Sequence, residues 1–159
     1  MKINGRVISG PYTDVLVLPR GSNESIIFKI QAILDDKDFE KILPRPNPPY
    51  ISEPGKEPYR NFEDETFKAA INKWAEQKNH WLNIKSLSAT DGLEWDTVKL
   101  SDPNTWKNWT DDLKNAGISE MEIIYLIRMI QQVNGLDQEK IEEAKKRFLA
   151  GQAATSKGN

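Results

Sequence analysis

Cysteine is absent from all 159 residues. That removes disulfides, thiolate metal sites and cysteine nucleophiles together, and it suits a reducing compartment. Histidine occurs once, at position 80, so a histidine-rich metal site is excluded by count. Any Ser-His-Asp arrangement would have to use His80, which sits in a helical pattern beside Trp81 with no nucleophile elbow in the chain. The nine glycines are scattered without the spacing of a dinucleotide-binding loop. Gly55-Lys56 lacks both the preceding glycine and the hydroxyl residue of a phosphate loop. The alternating carboxylates of a calcium loop are missing as well. The expectation is a non-enzyme with no catalytic, cofactor-binding or metal-binding residues.

No segment approaches the ~20 apolar residues that span a bilayer, and Met1 to Gly10 contains no apolar stretch resembling a signal peptide. A cytoplasmic protein without a membrane partner is therefore expected. The sequons Asn23-Glu24-Ser25 and Asn108-Trp109-Thr110 carry no weight in that compartment. Charge of one sign is also lacking: 22 Lys and Arg stand against 24 Asp and Glu, a net charge of -2. Such a chain has no global positive field to hold a phosphate backbone, so nucleic acid is not an expected partner.

What is present is enough to fold. Apolar residues make up 38% and charged residues 29% of the chain, which suits one ordinary domain, or a small module joined to a larger one, with much polar surface. Val7-Ile8 through Asp14 to Leu18 is rich in β-branched residues, is punctuated by Gly10-Pro11 and is closed by Pro19-Arg20-Gly21, which fits two short strands. Ser25 to Leu34 places Ile26, Phe28, Ile30 and Ala32 on alternate positions and reads as a third strand, with a short helix as the rival. Asp36 can cap a brief helix through Phe39, Ile42 and Leu43 that Pro44 ends. Six of the nine prolines then fall between Pro44 and Pro58; they exclude helix interior and central strand and mark an extended linker.

The second half is helical in pattern. From about Glu63 to Leu87, Phe67, Ala70, Ile71, Trp74, Trp81, Ile84 and Leu87 recur at helical spacings, with Lys73, Glu76, Gln77 and Lys78 on the wet side. The Trp pair reads as core. After a turn at Asp91-Gly92, Leu93 to Leu100 alternates like an exposed strand but reads as loop because it is isolated. Ser101 or Asp102 before Pro103 can start a short helix carrying Trp106, Trp109 and Leu113 and stopping at Gly117, with Trp95, Trp106 and Trp109 anchoring a small core. Ser119-Glu120-Met121-Glu122 has the spacing of a capping box, opening a helix to about Asn134-Gly135. Asp137 can cap a last helix with Ile141, Ala144, Phe148 and Leu149 in a narrow stripe. The fold class is therefore α+β, because strand and helix patterns are segregated and do not alternate. A small antiparallel β module with a short helix spans 1–43, a Pro-rich linker 44–62, a helical module 63–151 and a flexible tail 152–159.

Charged clusters have ordinary explanations. Asp35, Asp36 and Asp38 suit capping and solvation, and Glu63-Asp64-Glu65 suits a helix N-terminus, where the dipole favours carboxylates. Lys145-Lys146-Arg147 follows Glu142 and Glu143, which stand four residues before Lys146 and Arg147 and can pair with them.

The most informative stretch is Met121 to Val133. Ile123, Leu126, Ile127, Ile130 and Val133 form a stripe wide enough for the protein's own core, and Met121, Tyr125 and Met129 form a second one. Methionine conforms to varied apolar surfaces, so a Met-Tyr-Met row suits a surface that receives another chain's helices. The alternative is that the C-terminal helix or the long Trp helix covers this row, which would make it core.

Several segments, in order, resemble tail assembly chaperone-like proteins of long-tailed bacteriophages. They are Leu93-Glu94-Trp95, Ser101 to Trp109, Asp112 to Ser119 with Glu122-Ile123, and Asn134 to Asp137 with Ala144 to Leu149. The Gly10-Pro11 strand pair with Pro19-Arg20-Gly21 and the prolines ahead of a long Trp helix are similar too, so the resemblance covers most of the chain. It implies a factor of the host-cell cytoplasm that binds the tape measure protein, keeps its apolar helices from aggregating and helps tail-tube subunits polymerise around it. The family offers no catalytic residues to carry over. A homo-oligomer is compatible with the sequence. A second reading is a small structural component of the virion, in the tail or the head-to-tail adaptor. A small hydrolase or nuclease is a third, and it lacks an acid/base cluster.

Overall fold

The computed structural model describes residues 1–135 and 138–156. The chain is α+β. Its strands are β1 (Lys2–Ile3), β2 (Arg6–Val7), β3 (Thr13–Arg20), β4 (Glu24–Gln31), β5 (Tyr50–Ile51) and β6 (Tyr59–Arg60). Its helices are α1 (Lys37–Ile42), α2 (Glu65–Leu87), α3 (Trp109–Asn115), α4 (Glu120–Val133) and α5 (Gln138–Ser156), with a 3-10 turn over Pro103–Asn108. The strands form three antiparallel hairpins, β1-β2, β3-β4 and β5-β6. No helix among the described residues is long and apolar enough to cross a membrane. The chain groups into two compact units. The first comprises Met1–Ala32, Ser86–Asp91 and Glu120–Asn159, the second Ile33–Lys85 and Gly92–Ser119.

The first unit is built on β3 and β4, where Leu16, Leu18, Phe28 and Ile30 alternate onto one buried face. The third strand of the sequence reading is thus a strand, and Pro19 lies inside β3 opposite Ser25. A two-stranded sheet tolerates that proline because its missing N–H points to an unpaired edge. Helix α4 covers the buried face with Ile123, Leu126, Ile130 and Val133. Ile127, expected in the same stripe, is half-buried, because at 100° per residue it lies about 80° from the centre of the buried arc. Arg20 donates to both carboxylate oxygens of Glu122, at 2.8 and 2.9 Å, and clamps the start of α4 to the end of β3. Thr90 Oγ1 accepts from the Lys29 amide at 2.9 Å and donates to the Lys29 carbonyl at 3.1 Å. That ties down the edge of β4 at Lys29 alone. Helix α5 continues past Gly151, where the sequence reading ends it, to Ser156. Ala153 and Ala154 favour helix, and Thr155 Oγ1 satisfies the Gly151 carbonyl at 2.9 Å. Asp137, the expected cap of this helix, and the end of the tail lie outside the described residues.

The second unit has an aromatic centre. Phe39 on α1 is fully buried, with the rings of Trp74, Trp81 and Trp106 at 5.4, 5.6 and 5.9 Å. Trp109 is also buried. Two of the buried indoles use their N–H: Trp106 donates to the Lys99 carbonyl at 3.1 Å and Trp109 to His80 Nδ1 at 3.2 Å. Of the Trp pair on α2, Trp81 is core and Trp74 is half-buried, its N–H given to the Leu43 carbonyl at 3.0 Å. Trp95 is half-buried. The loop of residues 93–100 contains no strand; Thr97 donates from both amide and hydroxyl to the buried carboxylate of Asp112, at 2.9 and 2.8 Å.

Aspartate caps form at two helix starts. Asp102 caps the 3-10 turn by accepting from the Asn104 amide at 3.0 Å, and Asp64 caps α2 by accepting from the Phe67 amide at 2.8 Å. Asp36, by contrast, makes no side-chain cap bond to α1. Its carboxylate takes the ammonium of Lys78, whose hydrogen bond holds it below the usual aspartate pKa. Asp35 instead accepts the Lys37 amide at 3.1 Å, and Asp38 lies 3.9 Å from each of Lys41 and Lys85. The Pro-rich segment departs from the sequence reading as well. It is not wholly extended, since β5 and β6 pair within it, with Tyr50 opposite Arg60 and Ile51 opposite Tyr59. Pro49 and Pro58 stand just outside the strands, so no ladder bond needs a proline donor.

Gly117 closes α3 in a Schellman motif: its amide donates to Lys114 at 2.9 Å, the Ile118 amide to Leu113 at 3.0 Å, and Ile118 and Leu113 are buried together. The motif requires a left-handed residue, and Gly117 has φ 87°. Gly117→Ala is expected to lower stability by about 1 kcal/mol. A urea denaturation curve measures it, and an unchanged midpoint at equal slope would show that the cap carries no strain.

Candidate protein-binding surface

Helix α4 is apolar on both sides, and only one of them faces the core. Met121 is 73% and Tyr125 51% exposed, Ile124 between them is exposed, and Met129 is half-buried. Met121 and Tyr125 therefore lie open along the outer face of the helix. Met129 lies at the flank, about 80° round the helix from Met121. Ile124 was not part of the expected row. At about 60° from Met121 on the other side it widens the row into a patch, and the helical wheel contained that information.

Two further apolar surfaces belong to the same unit. The outer face of the β3-β4 hairpin exposes Val15, Val17 and Ile27, with Val17 directly opposite Ile27. Among the described residues no third strand pairs with either edge of that hairpin. Helix α5 exposes Ile141, Phe148 and Leu149, and its other described side chains from Gln138 to Thr155 are exposed too. The expected pairing of Glu142 and Glu143 with Lys146 and Arg147 does not form among the described residues. All four side chains stand in water, where an ion pair gains little over hydration.

Groups that could do chemistry are engaged elsewhere. His80 Nδ1 accepts the Trp109 indole, and Glu76 lies 3.8 Å from His80 Nε2. Glu63 takes Lys68 at 2.6 Å, and the resulting hydrogen bond lowers its pKa from the usual glutamate value. Among the described residues no group of three His, Asp or Glu side chains is placed to hold a metal ion. The arrangement on the first unit is a shape for contact: a rigid helix and hairpin with apolar side chains in water, where coverage by a partner is favourable.

No protein-family model, no curated protein and no solved structure matches this chain.

Proposed function

We propose that this protein is a non-enzymatic tail assembly chaperone of a long-tailed bacteriophage, working in the host cytoplasm. It binds apolar helical segments of the tape measure protein and assists tail-tube subunits to assemble around them. The observation that carries this reading is the second apolar face of α4, on which Met121 and Tyr125 are largely exposed while Ile123, Leu126 and Ile130 secure the helix from the other side. A flexible thioether and an amphipathic aromatic suit successive, non-identical helices better than a rigid aliphatic row does. The Arg20–Glu122 clamp supports the reading further, since it holds the patch in place without using any of its residues. The resemblance of the chain's segments to tail assembly chaperone-like proteins supplies the partner.

Mass spectrometry of purified virions beside a pull-down from infected lysate tests this. The tape measure protein should be recovered with the tagged chain from lysate, and the chain should be missing from finished particles. Finding it in particles at a fixed copy number would instead make it a structural component of the tail or of the head-to-tail adaptor.

A further inference from the structure

The second unit contains a groove of about 330 Å3 whose walls are Leu43, Pro44, Pro46, Ala70, Trp74 and Pro103. It shares Lys73, Gln77 and Asn104 with an adjoining polar recess of about 280 Å3 that adds Glu76, His80 and Lys107. Gln77 Oε1, in the shared wall, is buried and has no hydrogen-bond partner. A buried acceptor without a donor costs free energy, and a ligand that brings an N–H recovers it.

The charges around the groove are unbalanced. Among the described residues neither Lys73 nor Lys107 has a carboxylate within 4.0 Å. The same holds for Arg45, which lies 5.7 Å from the Trp74 ring centre. His80 adds a donor: because its Nδ1 accepts from Trp109, the neutral ring carries its proton on Nε2. Glu76 is the one carboxylate in the lining, so the lysines outnumber it. The groove therefore combines an apolar, proline-and-indole floor with a cationic end and a buried acceptor between them.

We propose that this groove is a second binding site, separate from the α4 surface, for a short extended peptide segment in which an apolar side chain is followed by a carboxylate. The side chain sits against Trp74 and the prolines, a backbone N–H reaches Gln77 Oε1, and the carboxylate meets Lys73, Lys107 and His80 Nε2. Aromatic-lined grooves are a recurring docking site for extended segments.

The test uses the 15N-labelled full chain and the probe acetyl-glycyl-phenylalanyl-aspartyl amide, following the indole N–H signals. Those of Trp74 and Trp109 should move saturably and that of Trp95 should not. The asparaginyl counterpart should bind about tenfold more weakly, and so should the aspartyl peptide to a Lys73→Glu, Lys107→Glu variant. Both lysines are exposed, so the variant keeps its fold. Gln77→Met should also weaken binding, by about tenfold, without lowering the melting temperature, because it removes the orphan acceptor along with the site. Four results overturn the proposal: no saturable shift up to about 10 mM peptide, equal binding of the asparaginyl peptide, unchanged affinity in the lysine variant, or the same shifts from sodium acetate alone. None of these outcomes touches the α4 reading, whose residues lie in the other unit.

Discussion

Trp109→Ala should lower stability by ~3–5 kcal/mol, out of a total that for a chain of this kind is ~5–15 kcal/mol. The size follows from three losses at one position. The side chain is buried, so its removal forfeits its transfer free energy and leaves a cavity. His80 Nδ1 also loses its donor. Trp109→Phe separates these contributions, because it keeps most of the volume and removes the indole N–H; it should cost roughly 1–2 kcal/mol. Chemical denaturation of both variants measures the two values. Equal midpoints for wild type and Trp109→Ala would mean that Trp109 is not among the residues that hold the second unit together.

Local signals in the sequence were strong where a single residue type decides the backbone. Asp102 before Pro103, Gly117 after α3 and Ser119 before α4 all mark helix boundaries because caps and left-handed residues act within one turn. The alternation through Phe28 and Ile30 identifies the inward face of β4. The β1-β2 hairpin is legible in the sequence too. Asn4-Gly5 between Ile3 and Arg6 is the dipeptide that a two-residue hairpin turn demands, with φ 50° and 78°.

Other features depend on partners distant in sequence, and periodicity contains no trace of those. Asp36 read as a cap because an aspartate before a helix usually is one; Lys78, 42 positions away, outcompetes the free amides of α1. Phe39 looked like one apolar residue of a short helix, and only the fold brings three indoles around it. The prolines between 44 and 58 exclude strands at their own positions, yet the residues between them are free to pair. The outer row of α4 was visible as a pattern at Met121 and Tyr125. Whether it faced water was not, since that depends on where other helices lie.

The most direct test of the chaperone surface is to change Met121 and Met129 to Gln together and to measure melting and tape measure binding on the same preparation. The core face of α4 keeps Ile123, Leu126, Ile130 and Val133 in this variant, so its melting temperature should change little, with a small loss from half-buried Met129. Binding should fall. Each residue removed from the centre of an interface costs ~1–2 kcal/mol, so the pair should weaken association by a factor on the order of 10 to 1,000. Ile130→Ala is the control, because Ile130 is fully buried and its truncation should cost ~2–5 kcal/mol of stability, with binding lost only as a consequence. The account predicts a Met121→Gln, Met129→Gln protein that melts like the parent and no longer retains the tape measure protein. A folded double variant that retains it with the parent's affinity would contradict the account.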